Sequence, residues 1–229
     1  MAALGAEEVA AQRVLDLGCG PGALVALLAE RGATAVGIDL VEAHVAEARA
    51  GLEALGLEAE VMVGDAERLP LDDGSFDRVV SNNALQFTAR FDRALMEAFR
   101  VLRPGGELAL VVYHRGSIYY WWWFFLVNGL LKGELRHTRS MERTIGRNIP
   151  WAPARSNLSA RAMSRRGLAD QIRAAGFSSV KTLVRGFAWA HLGPAGGHLG
   201  RLPGAEAARR ALDTRVGWYV VARARRPAL

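Results

Sequence analysis

Apolar runs and amphipathic stretches alternate along the first half of the chain. Runs at 13–17, 34–38, 59–63, 78–82 and 106–113 are rich in Val, Ile and Leu and bounded by Gly, Pro or Asp, which predicts short strands buried on both faces. Between them, apolar residues recur at helical spacing over 22–31, 41–55 and 90–102. This rhythm predicts an α/β fold: a right-handed, doubly wound, mostly parallel sheet with helices on both faces. A helix over 163–176 with a glycine stop, then strands at 177–184 and 217–223, bring the expected sheet to seven strands.

Residues 114–162 break the pattern. The excursion is too long for a simple connection and begins at the carboxyl end of a strand, where open sheets bind ligands, so it is expected to form an inserted helical cap. Every residue over 118–127 is apolar or aromatic, and the run resumes at Leu130 and Leu131 after Asn128 and Gly129. It falls short of the roughly 20 residues that span a bilayer. Three readings compete: a helix packed on the core or on a second copy in a homodimer, aromatic walls for a hydrophobic substrate, or shallow membrane docking. The packed helix is the leading reading, because aromatics at helical spacing are usually core; the flanking Arg115, Lys132, Arg136, Arg139, Arg143 and Arg147 support the last, because interfacial segments combine aromatic and basic residues.

Length and composition fit one domain over 1–229, made of a core at 13–113, the cap at 114–162 and closing elements at 163–229. The net charge of +6 hides an asymmetry: residues 1–110 carry 9 basic and 18 acidic side chains, and 111–229 carry 20 and 5. The second half therefore presents a positive field toward phosphate, carboxylate or an anionic membrane. The single cysteine, Cys19, excludes an internal disulfide. Residues 1–11 hold two acids and no base, unlike a signal peptide, so a cytoplasmic location, with or without membrane association, is expected.

The turn after the first strand carries the chemistry. Gly18, Gly20 and Gly22 lie between Asp16 and an apolar helix whose N-terminal amides face the turn. Gly18, Gly20 and Ala23, with Asp39 about 20 residues on, also satisfy a dinucleotide fingerprint. Asp16 discriminates. It would repel a pyrophosphate on this turn but suits an ammonium and a sulfonium, which favours S-adenosylmethionine over a nicotinamide dinucleotide. Asp39 and Asp65 close the second and third strands, where their carboxylates can accept ribose hydroxyls and an adenine amine. Cys19, inside the loop, reads as a small packed residue rather than a nucleophile.

The motifs DLGCGPG (16–22), GID (37–39), GDAERLP (64–70), SFD (75–77) with VVSN (79–82), and LRPGG (102–106) resemble those of class I S-adenosylmethionine-dependent methyltransferases of the ubiquinone/menaquinone C-methylase-like group. The likeness covers about 13–113. It implies a Rossmann-like sheet with an antiparallel last strand. It also implies that Gly18, Cys19 and Gly20 line the methionine moiety with Asp16. Asp39 and Leu40 would then border the ribose, Asp65 and Ala66 the adenine, and Ser81 and Asn82 the amino-acid end. Gln86 stands where many relatives have histidine. Only residues 1–12 precede the first strand, so the expected pocket is open or closed by a second subunit.

Methyl transfer needs an acceptor placed in line about 3 Å from the methyl carbon and, for oxygen or carbon acceptors, a base. No metal is required. Of five histidines, His114 follows the central strand directly and is the candidate base; His137 in the cap is second, and His191 and His198 read as structural. Gln86, Tyr113, Tyr119, Trp122, Arg147 and Arg155 are candidate acceptor contacts, the two arginines as an anion clamp. The expected acceptor is a hydrophobic small molecule, such as a natural product, isoprenoid or lipid. Two alternatives stand beside it: a catalytically silent cofactor-binding regulatory module, and an RNA-directed methyltransferase. Nucleic acid is disfavoured because no recognition motif accompanies the arginines and aromatics.

Overall fold

The computed structural model describes residues 8–149, 158–192 and 198–228. Among the described residues, eight strands form one sheet: β1 (Arg13–Leu17), β2 (Thr34–Asp39), β3 (Glu60–Val63), β4 (Phe76–Asn82), β5 (Leu102–His114), β6 (Ala162–Met163), β7 (Ser178–Arg185) and β8 (Tyr219–Arg225). The order is β3-β2-β1-β4-β5-β8-β7, with β6 paired to β5 off this path. The seven strands expected from the sequence are thus joined by β6, whose two residues pair with Tyr113 and His114 and are too short to leave a pattern.

The β1–β2, β2–β3, β1–β4 and β4–β5 pairs are parallel. Along β8 the partner number falls as that of β5 rises: Arg226 N–H donates to Gly106 O, and His114 N–H to Trp218 O. The last strand therefore runs antiparallel. β2 and β3 extend from one side of β1 and β4 and β5 from the other, so right-handed crossovers put α1 (Ala23–Glu30) and α2 (Glu42–Ala54) on the face opposite α3 (Phe91–Val101). The direction of winding reverses between β1 and β4, and ligands of open α/β sheets bind outside the carboxyl ends of the strands at such a point.

Local sequence explains these elements. Val14, Leu15, Asp16 and Leu17 are all buried, as a strand covered on both faces requires. In α3, Phe91, Ala94, Leu95, Ala98 and Val101 are buried at helical spacing, while Met96 faces out. Arg226 closes that helix by donating to the carbonyls of Phe99, Arg100 and Leu102.

The chain forms two compact units, one of Met1–Val111, Leu168–Thr182 and Val221–Leu229, the other of Val112–Gly167 and Leu183–Val220. The second unit contains the stretch expected as a cap and also takes in 183–220. Its main element is a π-helix, Tyr120–Leu131, twelve residues long. Such helices are rare and mostly single-turn. Here the Ser117 hydroxyl accepts the Tyr120 N–H at the start, and the Lys132 N–H donates to Val127 O at the end. Asn128, buried in mid-helix, donates from its amide to Trp123 O and accepts from Lys132 Nζ. Two short helices follow, α4 (Glu134–Thr138) and α5 (Met141–Arg147).

α6 (Arg165–Ala174) matches the expected helix with a glycine stop. α7 (Ala205–Val216) is not among the helices expected from the sequence. Ala205 is the only residue of α7 that is buried, so the helix lacks an apolar stripe. Ala and Arg content and the Glu206 pairs with Arg209 and Arg210 account for it instead.

Candidate active site

The loop after β1 is built from backbone that only glycine adopts easily. Gly18, Gly20 and Gly22 have φ of 73°, 52° and 85°. A Cβ on Gly18 would collide with the Ala84 methyl, and one on Gly22 would lie 2.7 Å from Ala48 Cβ. Those two glycines are needed for packing within the protein. At Gly20 a Cβ would meet no atom within 4 Å, so the loop is open there and its backbone can be approached.

Three acids converge on this loop or its neighbours. Asp16 is buried at the end of β1, and burial, reinforced by the negative charge of Asp39, raises its pKa to about 7. A carboxylate held in that state favours a cationic ligand, which removes the desolvation cost of ionising it. Asp39 shapes the loop directly: its Oδ2 accepts the Gly20 N–H and its Oδ1 the Val41 N–H, both at 2.9 Å. His44 of α2 lies with Nδ1 3.2 Å from Asp39 Oδ1. Sequence reasoning gave His44 no role, although five residues beyond Asp39 into a helix is within reach of it. Leu40 is exposed beside them. Asp65 closes an Asx turn by accepting the Glu67 N–H, with Ala66 inside that turn.

At the end of β4 the structure separates two residues that the sequence grouped. Ser81 is buried and donates its hydroxyl to Leu17 O at 2.7 Å, which ties β4 to β1 and leaves only its oxygen lone pairs free. Asn82 is exposed, its Oδ1 taking the Asn83 side-chain amide at 3.3 Å. Asn83 has φ of 57°, and its N–H donates to Val111 O. Its own Oδ1 is buried without a partner, and so are both amide atoms of Gln86. Burying an amide with neither atom satisfied costs on the order of 1–3 kcal/mol. Cys19 is buried, and burial with the charges of Asp16 and Asp39 pushes its thiol up to about 12. It is a small packed residue of the loop.

The remaining candidates lie in the second unit. His114 is buried, with Nδ1 3.0 Å from Gly217 O. A carbonyl only accepts, so Nδ1 carries the proton and Nε2 is left as an acceptor. Burial and the nearby Arg165 lower the His114 pKa against the opposing bond to Gly217, which keeps the ring neutral at neutral pH. Tyr113 stacks on Trp218 at 4.6 Å. Tyr119 contacts Trp218, Phe124 and the His191 ring, the last at 4.6 Å between centroids.

The sequence had flagged Tyr113 and Tyr119 but missed Trp218 and the ring contacts of His191. Trp218, immediately before β8, was the available signal. Trp122 is exposed and is not among these rings. Arg147 is paired with Glu134 at 3.2 Å, which weakens its case as an anion clamp. Arg155 lies outside the described residues, and His137 is exposed on α4. Among the described residues no cluster of His, Cys, Asp and Glu could hold a metal.

Comparison with known proteins agrees with this geometry. A family model described as a methyltransferase domain matches residues 15–110. The demethylmenaquinone methyltransferase of Thermus thermophilus is 34% identical over 149 residues, covering 60% of this chain and 68% of that protein. A malonyl-[acyl-carrier protein] O-methyltransferase of Geobacter sulfurreducens is 42% identical over 114 residues, 49% of this chain and 42% of that one. Among solved structures, an S-adenosylmethionine-dependent methyltransferase of Methanosarcina mazei superposes with a TM-score of 0.64 at 20% identity, covering 95% of this chain and 93% of that one.

The residues present fit the cofactor of these relatives. The Gly20 backbone is open, Asp16 is a buried acid suited to a cation, and Gln86 has unsatisfied donor and acceptor atoms. The strand order, the glycine turn, the acids at the strand ends and the likeness to the Thermus enzyme together assign the chain to the class I S-adenosylmethionine-dependent methyltransferases, in the ubiquinone/menaquinone C-methylase-like group.

Proposed function

We propose that this methyltransferase acts on a hydrophobic small molecule: an isoprenoid, a lipid-like compound or an aromatic natural product. The observation that carries the reading is the ring cluster of Tyr113, Tyr119, Phe124, His191 and Trp218 in the second unit, in which the buried Tyr113, Phe124 and Trp218 back the partly exposed rings of Tyr119 and His191. The name of the Thermus relative, demethylmenaquinone methyltransferase, points the same way. A malonyl thioester on a carrier protein is the second reading, favoured by the name of the Geobacter relative.

S-adenosylmethionine supplies a methyl group already activated on a positively charged sulfur. The chain's own residues are left to hold that charge, place the acceptor, exclude water and remove a proton where the acceptor has one. In this reading Asp16 faces the charge, and Asp39, Asp65 and the Gly18–Gly20 backbone hold the adenosyl and amino-acid parts. Gln86 orients what lies beside them, and His114 takes the proton at Nε2.

The test is transfer of a labelled methyl group from S-adenosylmethionine into separately supplied organic-soluble, polar-metabolite, carrier-protein and RNA fractions. Label in the organic-soluble fraction is expected. Label in the carrier-protein or RNA fraction would replace this acceptor by another, and tight cofactor binding with no label anywhere would favour a silent regulatory module.

A further inference from the structure

The π-helix Tyr120–Leu131 turns one side inward and the other outward, and the outward side has no polar residue. Tyr120, Phe124, Asn128 and Gly129 are buried, following the repeat of a helix with more than four residues per turn. Outward stand Trp121 (49% exposed), Trp122 (41%), Leu130 (53%) and Leu131 (74%), with Phe125 and Leu126 half-buried between them. A solvated helix normally carries charge on this side. A row of two tryptophans and two leucines left in water is unfavourable, and burial would recover that cost.

The surroundings indicate what covers it. Lys132 follows the helix directly and is exposed. α4 lies against the same end, since a Cβ on Gly129 would come within 2.8 Å of the Leu135 side chain, and α4 exposes Arg136 and its capping residue Arg139. Arg143 is exposed one helix further on. Among the described residues, these four cations have no ion pair. Over its whole sequence the second unit holds 15 Lys and Arg against four Asp and Glu. A second copy pairing through the same face would bring the same excess of positive charge, which opposes a symmetric contact there.

We propose that this face docks on an anionic lipid bilayer, the π-helix lying in the interfacial plane with Trp121, Trp122, Leu130 and Leu131 inserted and Lys132, Arg136, Arg139 and Arg143 at the headgroups. Tryptophan favours that depth, and basic residues beside an apolar face are attracted to anionic lipid. No described helix is long and apolar enough to cross a membrane, so the contact is peripheral. The inference is independent of the acceptor's identity.

The test is flotation of the full chain with vesicles of phosphatidylcholine alone or mixed with phosphatidylglycerol, at low and high salt. Binding to the anionic vesicles, weakened by salt and accompanied by a blue shift of tryptophan emission, is expected. Trp121→Ser with Trp122→Ser, or Leu130→Ser with Leu131→Ser, should lower the partition coefficient about tenfold or more. Lys132→Glu with Arg136→Glu should abolish the preference for anionic lipid. Each variant should keep the cofactor-induced thermal shift of the parent, which separates lost docking from lost folding. Absence of vesicle binding by the parent, or equal binding by the serine variants, would overturn the proposal. So would a parent dimer that the same substitutions dissociate without any vesicle binding, because a second copy would then be the occupant.

Discussion

Replacing Asp16 by Asn should make the cofactor-free protein more stable while destroying its use of the cofactor. In the unfolded chain Asp16 ionises near 3.8; in the folded protein burial, and after it the charge of Asp39, raise that to about 7. Between those values the folded state holds a proton that the unfolded state has lost, so stability falls as pH rises through the window. The slope is about 1.4 kcal/mol per pH unit, and the total by pH 8 is about 4 kcal/mol. The Asp16→Asn variant has nothing to ionise at this position and avoids the loss. All other groups titrate in both proteins, so the stability difference isolates this carboxyl. It should be near zero at about pH 4 and grow to about 4 kcal/mol at about pH 8, or roughly 8–16 °C in Tm for a chain of this size. Urea unfolding of the cofactor-free proteins across that range reads it directly. S-adenosylmethionine at a hundredfold excess over its Kd should stabilise the parent by about 2.7 kcal/mol and leave the variant almost unmoved. A stability difference that does not change with pH, or a variant less stable than the parent at pH 8, would refute the argument that Asp16 is a buried acid kept for a cation.

Gln86→Leu removes an amide whose two polar atoms are buried without partners. Chemical denaturation should show a gain of about 1–3 kcal/mol without cofactor, and calorimetry a weaker binding of cofactor or acceptor; a loss of stability would mean that the amide is satisfied within the protein. Ser81→Ala deletes the hydroxyl that ties β4 to Leu17 O. A lower urea midpoint, equivalent to about 1–2 kcal/mol, is expected, and an unchanged midpoint would show that the bond contributes nothing. For His114, burial puts the pKa below the ordinary 6.5, so kcat should fall as pH drops through a value under 6.5. In His114→Gln that acid limb should vanish; a parent-like limb in the variant would remove His114 as the base.

The sequence was most readable where backbone demands are local. The spacing of Gly18, Gly20 and Gly22 shows in the residues themselves because positive φ selects glycine, and the stripe of Phe91, Ala94, Leu95 and Ala98 fixes α3 in the same way. The π-helix was not readable as such, because an all-apolar run has no periodicity to distinguish its repeat from that of an α-helix. α7 escaped for the opposite reason, having almost nothing buried and being held by ion pairs and propensity.

At the site, acids at strand ends could be placed from pattern alone, but the use made of each could not. Ser81 and Asn82 are adjacent in sequence, yet one is consumed in binding Leu17 O and the other is exposed. That the Gln86 amide is unsatisfied depends on what packs around it, which no motif records. The same holds for His114, whose tautomer is set by a carbonyl 103 residues away, and for Arg147, which Glu134 holds in an ion pair.

The most direct test of the account is calorimetric titration of S-adenosylmethionine into the parent protein at pH 7, in buffers of different ionisation enthalpy. One equivalent should bind with net release of a fraction of a proton, because burial holds the Asp16 carboxyl partly protonated near neutral pH and a cation seated beside it drives that proton off. The Asp16→Asn variant should release none. Absence of binding by S-adenosylmethionine, together with binding of NADH, would contradict the account at its centre.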